Sequence, residues 1–210
     1  MASLENQFTE LPLETPHLSF ALEHWKSVVG DGDWIIDATC GRGRDTLKLA
    51  RLLSPKGSLI GIDIQIEALR ESQQLLQDSL TAEQLERVHL FQQSHAQFPS
   101  IAHEKSIALI VYNLGYLPQG DKSLTTMTES TLQSIGQAME LIRPGGLISI
   151  TCYPGHIEGK IEQEALIQMA KGLPHQSWDI RFYRKINSET APSVLFIKKK
   201  SLNPALNLDR

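Results

Sequence analysis

Cysteine is scarce in this chain: Cys40 and Cys152 are the only two. That excludes a disulfide scaffold and a cysteine-built zinc module, and it suits a reducing compartment. No apolar run approaches the roughly 20 residues needed to span a bilayer, so no membrane partner is expected. The start Met1-Ala-Ser-Leu-Glu-Asn lacks the basic segment and apolar stretch of a secretory signal, so a cytoplasmic location is expected. Positive charge is not in excess either: 20 Lys and Arg stand against 24 Asp and Glu, a formal charge of −4 with a pI near 6.0. A protein that grips long nucleic acid by its phosphates is usually basic, so extensive duplex binding is disfavoured. A small RNA target held by a local basic patch stays open. Internal repeats and low-complexity segments are absent, and no metal is expected.

What is present suffices for a real core. At 210 residues and 41% hydrophobic, the chain is expected to form one domain over residues 16–200, with an arm over 1–15 and a tail over 201–210. Leu18, Leu22, Trp25 and Val29 recur at helical spacing and predict a first helix from Pro16 to Val29. Strands are predicted at Asp33–Thr39, Ser58–Asp63, Val88–Gln92, Ile107–Asn113, Leu147–Tyr153, Trp178–Ile186 and Val194–Lys199. Helices are predicted at Arg44–Leu53, Gln65–Leu80, Thr81–Arg87, Thr125–Ile142 and Glu158–Lys171, with a helical piece at Phe98–His103. Alternation of strands and helices implies parallel pairing, and the last two strands read as a hairpin. The fold class is therefore α/β, a seven-stranded, mostly parallel, Rossmann-like sheet with an antiparallel C-terminal hairpin.

The segment from Trp34 to Leu47 organises the rest. An apolar strand passes through Gly41 and Gly43 and opens a helix carrying Asp45 and Thr46 in its first turn. Such a corner lets the backbone approach a ligand closely and turns free helix N–H groups toward it. About twenty residues on, the strand Gly57–Asp63 ends in an acid, where these folds bind a ribose hydroxyl pair. Two cofactors use this layout, nicotinamide dinucleotides and S-adenosylmethionine. The dinucleotide fingerprint wants a third glycine where this chain has Thr46. S-adenosylmethionine has no pyrophosphate to cradle, so that departure costs it nothing. Leu141-Ile-Arg-Pro-Gly-Gly146, a helix end and turn before a strand, resembles the class I methyltransferase fold ahead of its fifth strand.

Ligands in such sheets sit beyond the carboxyl ends of the strands. The residues expected to meet the cofactor are Asp37, Thr39, Gly41, Arg42, Gly43, Asp45, Thr46, Asp63, Gln65, His95 and Asn113. After the fourth strand, Asn113-Leu-Gly-Tyr116 has the outline of the Asn-Pro-Pro-aromatic motif of methyltransferases acting on nitrogen, without the prolines. An amine must align its lone pair with the sulfonium methyl, so acceptors should hold its hydrogens from the other side. The side-chain oxygen of Asn113 and a following backbone carbonyl suit that task, and Tyr116 suits packing on a base. Asn113 and Tyr116 are therefore the expected catalytic residues. Leu114, Gly115, Tyr116, Lys122, Thr126, Tyr153 and His156 are expected to meet the substrate. A helix-capping role for His156 weighs equally with a site role. Cys152, in a Thr-Cys pair, invites comparison with cytosine-C5 methyltransferases, but their second cysteine is missing and a buried strand residue is the better reading. Arg42, Arg44, Lys122, Lys160 and Arg184 are candidates for a phosphate-binding rim.

Together, Asp37-Ala-Thr, Gly41-x-Gly-x-Asp-Thr46, Gly61-x-Asp-Ile-Gln65, Asn113-Leu-Gly-Tyr-Leu-Pro, Gly120-Asp-Lys-Ser-x-Thr-Thr126 and Tyr153-Pro-Gly-His-x-Glu-Gly159 closely resemble the MnmM (YtqB-like) family of class I tRNA methyltransferases, long labelled rRNA methylases. The resemblance runs from about residue 20 to residue 199. It implies S-adenosyl-L-methionine as cofactor and a tRNA anticodon loop as partner. It also implies the reaction: methylation of the primary amine of 5-aminomethyl-2-thiouridine at the wobble position. Action on rRNA or protein, or a non-catalytic cofactor-binding module, are the alternatives, and a homodimer is left open. One departure is Arg42, where the family usually has Asn.

Overall fold

The computed structural model describes residues 16–104, 106–115 and 126–201. In chain order the elements are α1 (Pro16–Val28), β1 (Trp34–Asp37), α2 (Arg44–Leu52), β2 (Ser58–Asp63), α3 (Ile66–Ser79), α4 (Ala82–Leu85), β3 (Val88–Gln92), β4 (Ile107–Asn113), α5 (Thr128–Leu141), β5 (Ile142–Cys152), α6 (Ile157–Lys171), β6 (Trp178–Tyr183) and β7 (Ser193–Lys199). The strands form one seven-stranded sheet in the order β3-β2-β1-β4-β5-β7-β6. Pairing is parallel from β3 through β5, and β7 runs antiparallel to both β5 and β6. This is the expected α/β sheet with its C-terminal hairpin. The order reverses at β1, which lies between β2 and β4. A crevice therefore opens where their carboxyl ends diverge.

The central strands are apolar on both faces because helices cover both. Ile35, Leu59 and Leu109 join Trp25 and Leu49 on one side. Their neighbours Ile36, Ile60 and Ile110 join Ile135, Ala138 and Leu166 on the other, as a side-chain period of two requires. Each such side chain removed from water contributes about 1.5–3 kcal/mol before entropy is counted. Polar contacts then fix how the layers sit. Trp25 Nε1 donates to Ser149 Oγ at 2.9 Å in the buried layer, seating α1 on β5. Arg143 Nε and Nη2 donate to the Asp33 carboxylate at 3.0 and 2.8 Å, and Nη2 also donates to the Val28 carbonyl at 3.1 Å. One side chain thus ties the end of α1, the approach to β1 and the start of β5.

Several expected boundaries move, each for a local reason. Residues 98–103 form a turn, with the Ala102 N–H donating to the Pro99 carbonyl at 2.9 Å, and not a helical piece. Its apolar Phe98, Ile101 and Ala102 pack on the core, which a turn achieves as well as a helix. β6 stops at Tyr183, because its partner β7 offers Val194 as the last pairing residue; Arg184 to Ile186 have nothing to pair with. The Pro-Gly-Gly turn lies inside β5: Ile142 pairs with Ile107 and Leu147 with Leu109, so Arg143 to Gly146 form an irregularity in the ladder. Gly145 carries the left-handed backbone there, at φ 78°. On α6 the buried face is Gly159, Glu162, Leu166 and Ala170; of Ile161, Ala165, Leu166 and Met169, which the spacing predicts along one face, Leu166 is in the core and Met169 packs against it, whereas Ile161 is 53% exposed. The expected arm 1–15 lies outside the described residues, as does most of the expected tail.

Candidate active site

β1 delivers Asp37 to the crevice, and the turn that follows folds back over the sheet. Asp37 is 1% exposed; its Oδ2 accepts the Thr46 hydroxyl at 2.7 Å and its Oδ1 the Thr39 N–H at 3.3 Å. Burial pushes its pKa up to about 7, against the pull of those two bonds, with Asp45 and Asp63 adding repulsion. Thr46 stands where a dinucleotide fold places its third glycine, and here it is a working group that holds the carboxyl. Close packing is supplied elsewhere. A Cβ on Gly43 would meet Ser72 Oγ at 2.8 Å and Ser72 Cα at 2.9 Å, at a φ of +78°. Only glycine fits that approach of the turn to α3.

Asp63, at the end of β2, accepts the Gly41 N–H and the Gln65 N–H, both at 2.8 Å. Each oxygen keeps a further lone pair, and the carboxylate is only half-buried. A vicinal hydroxyl pair is the natural guest of such a group. Gln65 sits at the N-cap of α3. Arg42 is ion-paired with Glu71 of α3 at 3.1 Å, both side chains partly exposed. A pair of that kind is worth at most about 1 kcal/mol, so releasing the guanidinium costs little.

β4 delivers Asn113. Its backbone N–H donates to Thr39 Oγ1 at 2.7 Å, and its Nδ2 donates to Asp45 Oδ2 at 3.2 Å. Asp45, in the first turn of α2, also accepts from Lys48 at 3.2 Å. Because Asp45 can only accept, it fixes which way the amide faces. Asn113 Oδ1 is left buried with no hydrogen-bond partner among the described residues. Tyr153 closes the other side. Burial, with Asp45 nearby, pushes its hydroxyl pKa up to about 12, the Asn113 side chain pulling the other way. The buried His95 Nε2 also has no hydrogen-bond partner among the described residues, and burial lowers that histidine's pKa. His95 meets the ring of Tyr112 edge-on, with centroids 6.2 Å apart.

The expected substrate residues separate in space. Leu114 is buried in the core at 3% exposure, its N–H donating to the Thr151 carbonyl at 2.9 Å. Gly115 and Thr126 clasp each other: the Thr126 N–H donates to the Gly115 carbonyl at 3.0 Å, and the Gly115 N–H donates to Thr126 Oγ1 at 2.9 Å. Tyr116 and Lys122 lie outside the described residues. His156 is the N-cap of α6, its Nδ1 accepting from the Gly159 N–H at 3.1 Å. The thiol of Cys152 is 2% exposed and driven well above the ordinary range by burial, as is that of Cys40. Neither can be a thiolate nucleophile near neutral pH.

Two residues escaped sequence reasoning. His17 of α1 meets the ring of Tyr153 edge-on at 6.0 Å, because α1 lies across β5. No local motif marks it. Glu162 is 3% exposed on α6 and accepts from Thr126 at 2.9 Å and Thr131 at 2.6 Å. Its signal was available: it falls on one helical stripe with Leu166 and Ala170.

Comparison with known proteins decides the kind of ligand. The family model described as "Putative rRNA methylase" matches residues 59–199. The chain belongs to this family. It is the one the motifs resemble, and it makes the protein a methyltransferase dependent on S-adenosyl-L-methionine. A family structure from Clostridium thermocellum, described in the same words, is 32% identical with a TM-score of 0.82, covering 89% of this chain and 98% of that one. A Streptococcus mutans methyltransferase in complex with S-adenosylhomocysteine is 25% identical with a TM-score of 0.77, covering 89% and 99%. An Arabidopsis thaliana relative, a chloroplastic tRNA (mnm5s2U34)-methyltransferase, is 34% identical over 182 residues; the match takes in 84% of this chain and 66% of that protein. The residues present would fit the family's cofactor: Asp63 keeps lone pairs for a ribose hydroxyl pair, and the turn through Gly43 makes an approach that only glycine allows.

Proposed function

We propose that the protein methylates the primary amine of 5-aminomethyl-2-thiouridine at the wobble position of tRNA, giving 5-methylaminomethyl-2-thiouridine. Bound S-adenosylmethionine supplies an electrophilic methyl group on a sulfonium. The rest is done by the chain. The observation that carries the reading is Asn113 Oδ1, a buried acceptor without a partner among the described residues, oriented by the donation of its own Nδ2 to Asp45. A buried lone acceptor is costly unless a ligand satisfies it, and a primary amine has hydrogens to give. Held there, the amine keeps its lone pair aimed away from the acceptor. The gain is alignment. No general base is demanded at the moment of transfer, provided the amine arrives neutral. Tyr153 offers a ring on which an unstacked base can lie, the usual way single-stranded RNA is read. The wobble-uridine specificity in the name of the Arabidopsis relative and the amine-directed outline of Asn113-Leu-Gly-Tyr116 support the same reading.

The test is transfer of labelled methyl by the purified protein to bulk tRNA from cells lacking this modification, followed by nucleoside mass spectrometry. Label is expected in a single wobble nucleoside. Label confined to rRNA or protein selects the alternative methyltransferases. Cofactor binding with no turnover on any cellular fraction selects a non-catalytic module.

A further inference from the structure

The end of β6 projects past its last pairing residue on the same side of the sheet as the carboxyl ends of β1 and β4, since β6 is parallel to β5. The residues there are Phe182-Tyr-Arg-Lys-Ile186, all exposed, with Ile186 at 93%. Tyr183 is not loose. Its ring stacks on Phe20 of α1 with centroids 4.3 Å apart and planes at 25°, and Phe20 in turn leans on His24 and Phe196. Arg184 and Lys185 have no ion-pair partner among the described residues. Arg181, two residues earlier, is by contrast held by Asp179 at 2.9 Å. The charge of Lys185 is felt at His17, whose pKa is lowered first by burial and, against the stronger pull of Asp45, by Lys185. His17 itself touches Tyr153. α1 therefore links the two places: its His17 meets Tyr153, and its Phe20, three residues on, carries Tyr183, with Arg184 and Lys185 next in the chain.

We infer that this edge, Tyr183, Arg184 and Lys185 braced on Phe20 of α1, docks the RNA strand next to the nucleotide being methylated, two cations on its phosphates and Tyr183 under a neighbouring base. The inference rests on the tRNA reading above and names the surface that reading requires. Unpaired cations beside a rigid, exposed aromatic are what a flexible single strand needs, because phosphate contacts position it and a π-face accepts any base. In a chain with a net charge of −4, a local cationic edge also steers the strand to one side of the molecule. A protein partner would favour an apolar patch free of unpaired charge at its centre, which this edge is not.

The test is the affinity of the full chain for a fluorescent anticodon stem-loop RNA, measured over a range of salt. Arg184→Glu with Lys185→Glu should weaken binding and lower the slope of log K against log[salt] by about 1.4, at about 0.7 per phosphate contact on a single strand. Tyr183→Ala should weaken binding about tenfold while leaving that slope unchanged. Affinity for S-adenosylhomocysteine, measured by calorimetry, should be that of the wild type in all variants, which certifies the fold. Variants that bind the RNA with wild-type affinity and slope overturn the edge while leaving the tRNA reading intact. A wild-type protein that does not bind this RNA removes the tRNA reading and the edge with it. Sedimentation showing a wild-type dimer that the variants break, with RNA affinity unaltered, assigns the surface to a second copy and overturns the proposal.

Discussion

Replacing Asn113 by Ala tests the site at its centre. The change deletes the buried acceptor Oδ1 and the donation of Nδ2 to Asp45 at 3.2 Å, while Lys48 still holds Asp45 at 3.2 Å. The fold therefore loses one charge-assisted hydrogen bond, about 1.5–3 kcal/mol, against a total stability of about 5–15 kcal/mol. The protein stays folded. The reaction loses more. Positive charge develops on the amine as it takes the methyl, so the bond to Oδ1 strengthens toward the transition state. Its loss should appear in kcat, not KM, as a fall of about 10–100-fold. Asn113→Asp adds a sign. Two carboxylates at that separation repel by about 5 kcal/mol at an effective dielectric of about 20, so the pair keeps one proton near neutral pH. The protonated acid reproduces the amide's acceptor and donor. Activity of this variant should fall as pH rises through the raised pKa, whereas wild-type activity should climb as the substrate amine deprotonates. Single-turnover methyl transfer to undermethylated tRNA across pH, with cofactor affinity measured in parallel, reads both. Asn113→Ala at wild-type kcat, or parallel pH profiles for wild type and Asn113→Asp, would refute the placement of the amine.

Other outcomes follow from the same geometry. Asp37, with a pKa raised to about 7, binds its proton in the folded state across the range where the unfolded chain has already lost it. Stability should therefore fall as pH rises from about 4 to about 7, by about 4 kcal/mol if no other group intervenes, and Asp37→Asn should flatten that part of a urea-denaturation series. Cys152→Ala should retain nearly full activity at a cost of about 1 kcal/mol, since the thiol is a buried neutral group; loss of methyl transfer with intact folding would restore a covalent mechanism. Glu162→Ala strands the hydroxyls of Thr126 and Thr131 and should cost about 2–4 kcal/mol by chemical denaturation, with Glu162→Gln costing less because one acceptor survives. Gly159→Ala should raise KM for tRNA, because the added Cβ presses on the Tyr153 carbonyl and stands 2.8 Å from His156 Nε2.

That Asp37, Gly41, Gly43, Asp63 and Asn113 gather at one crevice was legible because its determinants are local. Glycines that a turn demands, an acid at a strand end and a Thr in a helix's first turn keep their meaning at short range. The strands Ser58–Asp63, Val88–Gln92 and Ile107–Asn113 match their expected bounds because hydrophobic runs ended by polar residues mark both edges. What was not legible depends on elements far apart in the chain. The seat of α1 on β5, and so the place of His17, comes from a hydrogen bond between residues 25 and 149. The early end of β6 depends on where β7 begins. The role of Thr46 needed the buried carboxyl beside it, and the capping role of His156 needed the amide of Gly159.

The mutual bonds of Gly115 and Thr126, anchored on Glu162, have an evolutionary corollary. A hydroxyl at position 126 is therefore selected for by the scaffold itself: Thr or Ser there keeps both the bond from the Gly115 N–H and the bond to Glu162, and any other residue would have to be answered by a change at 162.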